Sequence, residues 1–273
     1  MLRMETETGW WLIKHPDHAE LAGAFAAAWG NAIFRKPEPR ERVLLGIARH
    51  DDGWAARDAH PVITRQGKPS GFSIELVGKY SAFEEIDLEE YLAVRDRAVR
   101  IMADKDPYAA LLISMHTYNL LTAHADRSTI APEGLVLLDA FLEGQLEHQD
   151  QLRTAIHEDR SLTPFAKENQ TITEHFRLLQ ACDNLSLLTC VAYVSPAHLL
   201  HPLPLIDGGT SEVRVLSNGS RHYRLAPWPF DEPELRFEFP ARHVEGKVFS
   251  TSAVLDTAFA RADEKKLSVT LTQ

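Results

Sequence analysis

His18, the doublet His50-Asp51 and Asp183 are the residues of this sequence whose types and placement point to chemistry. Around the segment LLQACDNLSLLTCVAYV, residues 178–194, a 3.6-residue period sets Ile172, Phe176, Leu179, Asp183, Leu187 and Cys190 on one apolar stripe, so Asp183 faces the core. An aspartate withdrawn from water without compensation costs several kcal/mol or takes up a proton, so a cation, several donors or a metal belongs opposite it. His18 shares an inward helix face with Leu21, Ala22, Phe25 and Trp29. His50-Asp51 prolongs the apolar row Val43, Leu44 and Ile47. His116 lies between Leu112 and Leu120 on a third face, and Gln145 and His148 interrupt the row Leu138, Phe141 and Leu152 on a fourth.

Imidazole nitrogens with carboxylate oxygens suit a divalent Mn, Fe, Zn, Co or Ni ion, and the absence of cysteine from the set argues against a thiolate zinc site. Neighbours such as His50 and Asp51 reach one ion where a helix end loosens. Such an ion lowers the pKa of bound water and offers a nucleophile to a phosphate ester. Blander readings stay open beside this one. A single inward histidine is commonly a hydrogen-bonded core residue, and Asp183 alone serves equally to cap a neighbouring helix or pair with a buried arginine. Asp52 is either a turn residue at a helix end or a second-shell partner that orients a ligand histidine, and His148 and His124 read as solvated.

The elements that must position these groups follow from local pattern. GWWLIK, residues 9–14, reads as a strand, and Asp17 with Glu20 forms a capping box that opens a helix running to Trp29. The segment PEPRERVLLGIARHDDGW enters a helix through its prolines and leaves it at Gly53, with Trp54 as a lid or packing residue. Residues 60–80 form a glycine- and proline-rich loop long enough to cap a site. Four more helices are expected at about 84–103, 107–125, 132–157 and 168–195. Beyond Pro196 come a linker, two strands around Asn218-Gly219, the strands ELRFEF and LSVTLT, and a short helix near 253–263. This organisation predicts a mainly α domain over residues 1–200 and a small α+β appendage over 201–273, an antiparallel sheet that the N-terminal strand is free to join.

At 273 residues and 44% hydrophobic the chain can bury a sizeable core, and its net charge of -10 argues against non-specific binding to nucleic acid or anionic membrane. Arg95, Arg97 and Arg100 remain local anion contacts. Cys182 and Cys190 stand eight apart on one apolar helix, too distant to bridge, and no signal sequence is evident, so a cytoplasmic protein with reduced cysteines is expected.

The order His18, His50-Asp51, Asp183 on successive helices resembles the signature of the HD superfamily of metal-dependent phosphohydrolases, across residues 15–195. The segments DHAELAGAFAAAWGN, RHDDGW, DPYAALLISMHTYNLL and LQACDNLSLLTC are in turn similar to an uncharacterised bacterial family known only as a domain of unknown function. The superfamily resemblance implies an HD-like helical bundle that hydrolyses a nucleotide, phosphomonoester or phosphodiester at one or two divalent ions. His18, His50, Asp51 and Asp183 would hold the first ion, and His116 a second ion or the substrate, with His148 as a later addition to that set. Asp52 would act from the second shell or as general base, and Trp54, Tyr118, Gln145 and His148 would line the pocket. The sequence here carries Asp-Gly-Trp after the doublet, where many phosphohydrolases carry an apolar residue and then glycine. Some relatives use the same ligands with iron for oxygenation. From another class, the same residues would form a buried His/Asp network in a non-catalytic ligand-binding protein. The expected partner is a small phosphorylated molecule, with neither nucleic acid nor membrane, and a homodimer as a possible assembly.

Overall fold

The computed structural model describes residues 1–79, 87–219 and 221–273. Two short strands, β1 (Leu2–Glu5) and β2 (Gly9–Ile13), lead into α1 (His15–Ala28) and α2 (Arg40–Arg49). A 3-10 turn at Asp52–Trp54 and the one-turn α3 (Ala55–Asp58) follow. The helical part then continues with α4 (Leu88–Ala103), α5 (Pro107–Ala123), α6 (Pro132–Glu158) and α7 (Asn169–Cys190). The remaining chain supplies β3 (Ala197–His198), β4 (Leu203–Pro204), β5 (Thr210–Ser211), β6 (Arg214–Ser217), β7 (His222–Ala226), β8 (Glu234–Glu245), α8 (Ser252–Arg261) and β9 (Glu264–Thr272).

The helices fall close to where their periodicity predicts them, but the mainly α bundle with a small antiparallel appendage is overturned. A seven-stranded mixed sheet runs in the order β1-β2-β8-β9-β7-β6-β3, beside a two-stranded sheet of β4 and β5. Both N-terminal strands are integral to it, and β7 pairs with β9 in parallel. The decisive element is β8, whose 12 residues carry the chain past ELRFEF and Pro240 to ARHVE. Its first part pairs with β9, and Arg242–Glu245 then pairs with Gly9–Leu12 of β2. Proline cannot donate to a ladder and ordinarily demotes a strand, so local pattern ends this element too early. The partner that extends it lies at the other end of the chain.

Strand alternation divides the sheet between two cores. Along β2, Trp11 and Ile13 join the main core, whereas Trp10 and Leu12 point the other way, where Leu255 and Phe259 of α8 cover them. On the main face α1 lies against β8, with Phe25 edge-on to Phe237 at 4.9 Å between ring centroids. The same helix is pressed on its other side against α2. A Cβ on Gly23 would stand 2.5 Å from Ala48 Cβ, and one on Gly46 would stand 3.2 Å from the Ala109 backbone of α5. Two glycines therefore let α1, α2 and α5 approach at backbone distance, which brings residues from separate helices to one point.

Smaller expectations resolve as follows. α1 begins at His15 with Pro16 in its first turn and no side-chain cap, so Asp17 and Glu20 form no capping box. α2 ends at Arg49, which leaves His50 and Asp51 just beyond the helix. The start of the helix expected over 84–103, residue 80 of the expected loop, and Ser220 of the hairpin lie outside the described residues. Among the described residues, no helix is long and apolar enough to cross a membrane.

Candidate metal centre

Five of the residues singled out by type and spacing converge. His18 sits in the first turns of α1, His50 and Asp51 follow α2, His116 lies in α5 and Asp183 in α7, all buried. They form two overlapping groups, His18, His50 and Asp51, and His50, His116 and Asp183, within each of which the ligand atoms lie no more than 4.8 Å apart. His18 Nε2 is 3.0 Å from Asp51 Oδ2, and His18 Nδ1 is 3.7 Å from Asp183 Oδ1. His50 Nε2 stands 3.3 Å from Asp183 Oδ1 and 3.8 Å from Asp51 Oδ2, while His116 Nε2 is 3.8 Å from Asp183 Oδ2. The backbone at Asp51, φ -114 and ψ 16, is neither helical nor extended, so the residue leaves the path of α2.

The fit of this donor set to a cation is clearest at His50. Its Nδ1 lies 2.7 Å from the Ile47 carbonyl oxygen, which only accepts, so Nδ1 carries a proton and donates. The opposite nitrogen, Nε2, is buried and has no aligned hydrogen bond, although Asp183 Oδ1 is only 3.3 Å away. A ring anchored through one nitrogen with the other bare among carboxylates is the arrangement that metal-binding histidines adopt.

Charge reinforces the geometry. Burial pulls the His50 imidazolium down, but Asp51 and Asp183 together outweigh it and hold its pKa at about 9. Burial also opposes ionisation of Asp183, yet the close approach of the His50 imidazolium, 3.3 Å away, keeps it at about 2. Asp51 is held well below the usual carboxylate range, against burial, chiefly by Arg95 and His50. His116, for which burial dominates, is pushed down to about 3 and stays neutral. The site therefore holds two carboxylate charges against one guanidinium and gathers a further positive charge at His50.

Arg95 is the residue that sequence reasoning missed in kind. Expected as a local anion contact with Arg97 and Arg100, it is instead buried and donates from Nη1 to Asp51 Oδ1 at 2.6 Å and from Nε to the Tyr91 hydroxyl at 3.2 Å. The rings of Trp54 and Tyr91 lie 5.4 and 5.2 Å from its guanidinium carbon. A signal was present, because Tyr91, Arg95, Ala98 and Met102 fall on one face of α4. The buried-arginine partner considered for Asp183 thus goes to Asp51.

The other nominated residues are placed differently. Asp52 points to Arg49 at 3.9 Å, is partly exposed, and has its pKa raised by burial. Trp54 is buried, stacked on His15 at 4.3 Å. Tyr118 packs beside Trp54, Tyr91 and Leu121. Gln145 accepts from Ser114 at 2.7 Å, clasping α6 to α5, and His148 is half-buried on α6. Neither Asp52 nor these four belongs to the two clustered groups.

The family described as "Protein of unknown function (DUF3891)" matches residues 1–246. The chain belongs to DUF3891. No curated protein and no solved structure matches it. The DUF3891 match spans all five clustered side chains and Arg95, as well as β1, β2 and β8 of the sheet.

The helix that carries Asp183 is itself anchored by a buried histidine. Eight residues earlier on α7, His175 Nδ1 lies 2.7 Å from the Tyr108 hydroxyl of α5. Burial, with a smaller contribution from Arg35, lowers the His175 pKa to about 4. A base whose folded pKa is depressed contributes stability that is complete above its unfolded pKa of about 6.5 and is lost as pH falls toward 4. Relative to wild type, His175→Gln is expected to remove about 2 kcal/mol of the stability difference between pH 7 and pH 5. Urea unfolding at the two pH values measures it, and parallel pH profiles for both proteins would rule the role out.

Proposed function

We propose that the chain is a divalent-metal-dependent hydrolase of a small phosphate ester, with His18, His50, Asp51 and Asp183 as ligands and His116 facing a second ion or the substrate. The observation that carries this reading is the buried Nε2 of His50, which stands among two carboxylates with no aligned hydrogen bond while Nδ1 anchors the ring, in a site that draws positive charge to that nitrogen. A divalent ion held by these residues would lower the pKa of a bound water toward neutrality and so make a hydroxide available for hydrolysis.

The protein's own groups have separable tasks. Asp51 divides its oxygens, Oδ1 to Arg95 and Oδ2 toward His18, so it offers one oxygen to the site. Asp183 reaches three imidazoles at once and offsets the charge of an ion. His116, kept neutral by burial, presents an uncharged imidazole beside the carboxylate. The resemblance of His18, His50-Asp51 and Asp183 to the HD phosphohydrolase order supports phosphate as the scissile group.

The test is metal content followed by turnover. Protein purified without chelator is analysed for elements, then loaded with Mn2+, Co2+ or Ni2+ and assayed on p-nitrophenyl phosphate and bis(p-nitrophenyl) phosphate. Stoichiometric metal and chelator-sensitive hydrolysis are expected. Protein that takes up no divalent ion at saturating concentration would sink the reading, and metal uptake with no hydrolysis of any phosphate ester would sink its catalytic half.

A further inference from the structure

Ser186 stands one turn beyond Asp183 on α7 and is completely buried. Its Oγ lies 2.8 Å from the Asp183 carbonyl oxygen and 2.9 Å from His18 Nδ1. A hydroxyl has one proton to give, and a carbonyl oxygen can only accept. If the proton went to His18, the hydroxyl and carbonyl oxygens would face each other at hydrogen-bond distance with lone pairs opposed. The proton therefore goes to the carbonyl, and Oγ accepts from His18 Nδ1. With Nδ1 committed to Ser186 Oγ, Nε2 is the nitrogen left to meet a cation, and it faces Asp51 Oδ2 at 3.0 Å.

We infer that Ser186 is a positioning residue that holds His18 through the Nδ1 hydrogen and so leaves Nε2 as the nitrogen that meets the metal. This rests on the metal-centre reading proposed above. The serine does for His18 what the Ile47 carbonyl does for His50, so the two imidazoles, their rings 5.3 Å apart, present the same nitrogen to the same place. The device is short in sequence: Asp183 contributes a carboxylate to the site and, through its own carbonyl and Ser186, orients a second ligand.

Removal of the hydroxyl takes away the anchor of Nδ1. In Ser186→Ala, Nδ1 loses its acceptor, and Asp183 Oδ1 at 3.7 Å is too distant to replace it. The ring is then held only at Nε2, where Asp51 Oδ2 accepts its hydrogen, and Nδ1 no longer fixes the ring for an incoming ion. Titration of the full-length, metal-free protein with Co2+ is expected to give a Kd about 10- to 100-fold weaker for Ser186→Ala than for wild type. Ser186→Thr, which keeps the hydroxyl, is expected to restore binding. Long-range 15N–1H spectra of the metal-free proteins supply a readout that packing alone would not move: Nδ1 of His18 protonated in wild type and unprotonated in Ser186→Ala. A wild type that binds Co2+ with a Ser186→Ala variant that binds equally well overturns the inference alone, as does a wild-type His18 protonated only at Nε2. A wild type that binds no Co2+ overturns the metal-centre reading and this inference with it.

Discussion

Asp183→Asn is expected to weaken divalent metal binding by more than about 100-fold and to reduce any metal-dependent hydrolysis to background, while the far-ultraviolet circular dichroism is retained. The size follows from position. Among the described residues, Asp183 is the one carboxylate within 4 Å of all three clustered imidazoles, at 3.7 Å from His18, 3.3 Å from His50 and 3.8 Å from His116. Loss of a group that merely orients a ligand costs about 10- to 100-fold in affinity, so loss of a charged ligand shared by both groups of the cluster exceeds that range. Asparagine preserves shape and one acceptor oxygen, which confines the change to charge. Calorimetric titration with Mn2+ or Co2+ reads the result. An Asp183→Asn protein with wild-type affinity would remove this residue from the ligand set and take the proposed chemistry with it.

The largest stability effect is expected from Arg95→Met. Methionine fills similar volume on α4 but leaves Asp51 without the guanidinium 2.6 Å away, in a site where both partners are almost entirely enclosed. Breaking a buried pair from one side leaves an uncompensated charge and costs about 3–5 kcal/mol, well beyond an ordinary surface substitution. The cost has a direction that separates the bound from the free protein. A divalent ion beside Asp51 takes over part of the missing charge, so the loss is expected to be larger in chelator than in saturating metal. Urea unfolding under both conditions measures the two values. A cost below about 1 kcal/mol in chelator would show that Arg95 does not hold Asp51 in place.

These two residues illustrate how differently a site is written into a chain. Asp183 is legible because its apolar neighbours at helical spacing surround it locally, and the same holds for His18, His50-Asp51 and His116. Arg95 is legible only as a cation on an apolar helix face, since what makes it a partner of Asp51 is the packing of α4 against the turn after α2. Ser186 carries less signal still. A small polar residue in a buried helix is common, and its role comes from the 2.9 Å approach of an imidazole from α1.

The fold divides along the same line. Helix positions, the hairpin of β6 and β7 and the inward direction of five polar side chains follow from the sequence by itself, because periodicity and turn chemistry act over a few residues. The seven-stranded sheet was decided by tertiary structure alone: β2 is completed by β8, and β8 outruns its proline because Gly9–Leu12 lies alongside it. Backbone hydrogen bonds between strands more than two hundred residues apart leave no periodic trace in either strand. For the same reason the sequence determines which polar groups turn inward, whereas helix contacts such as those at Gly23 and Gly46 decide that they meet.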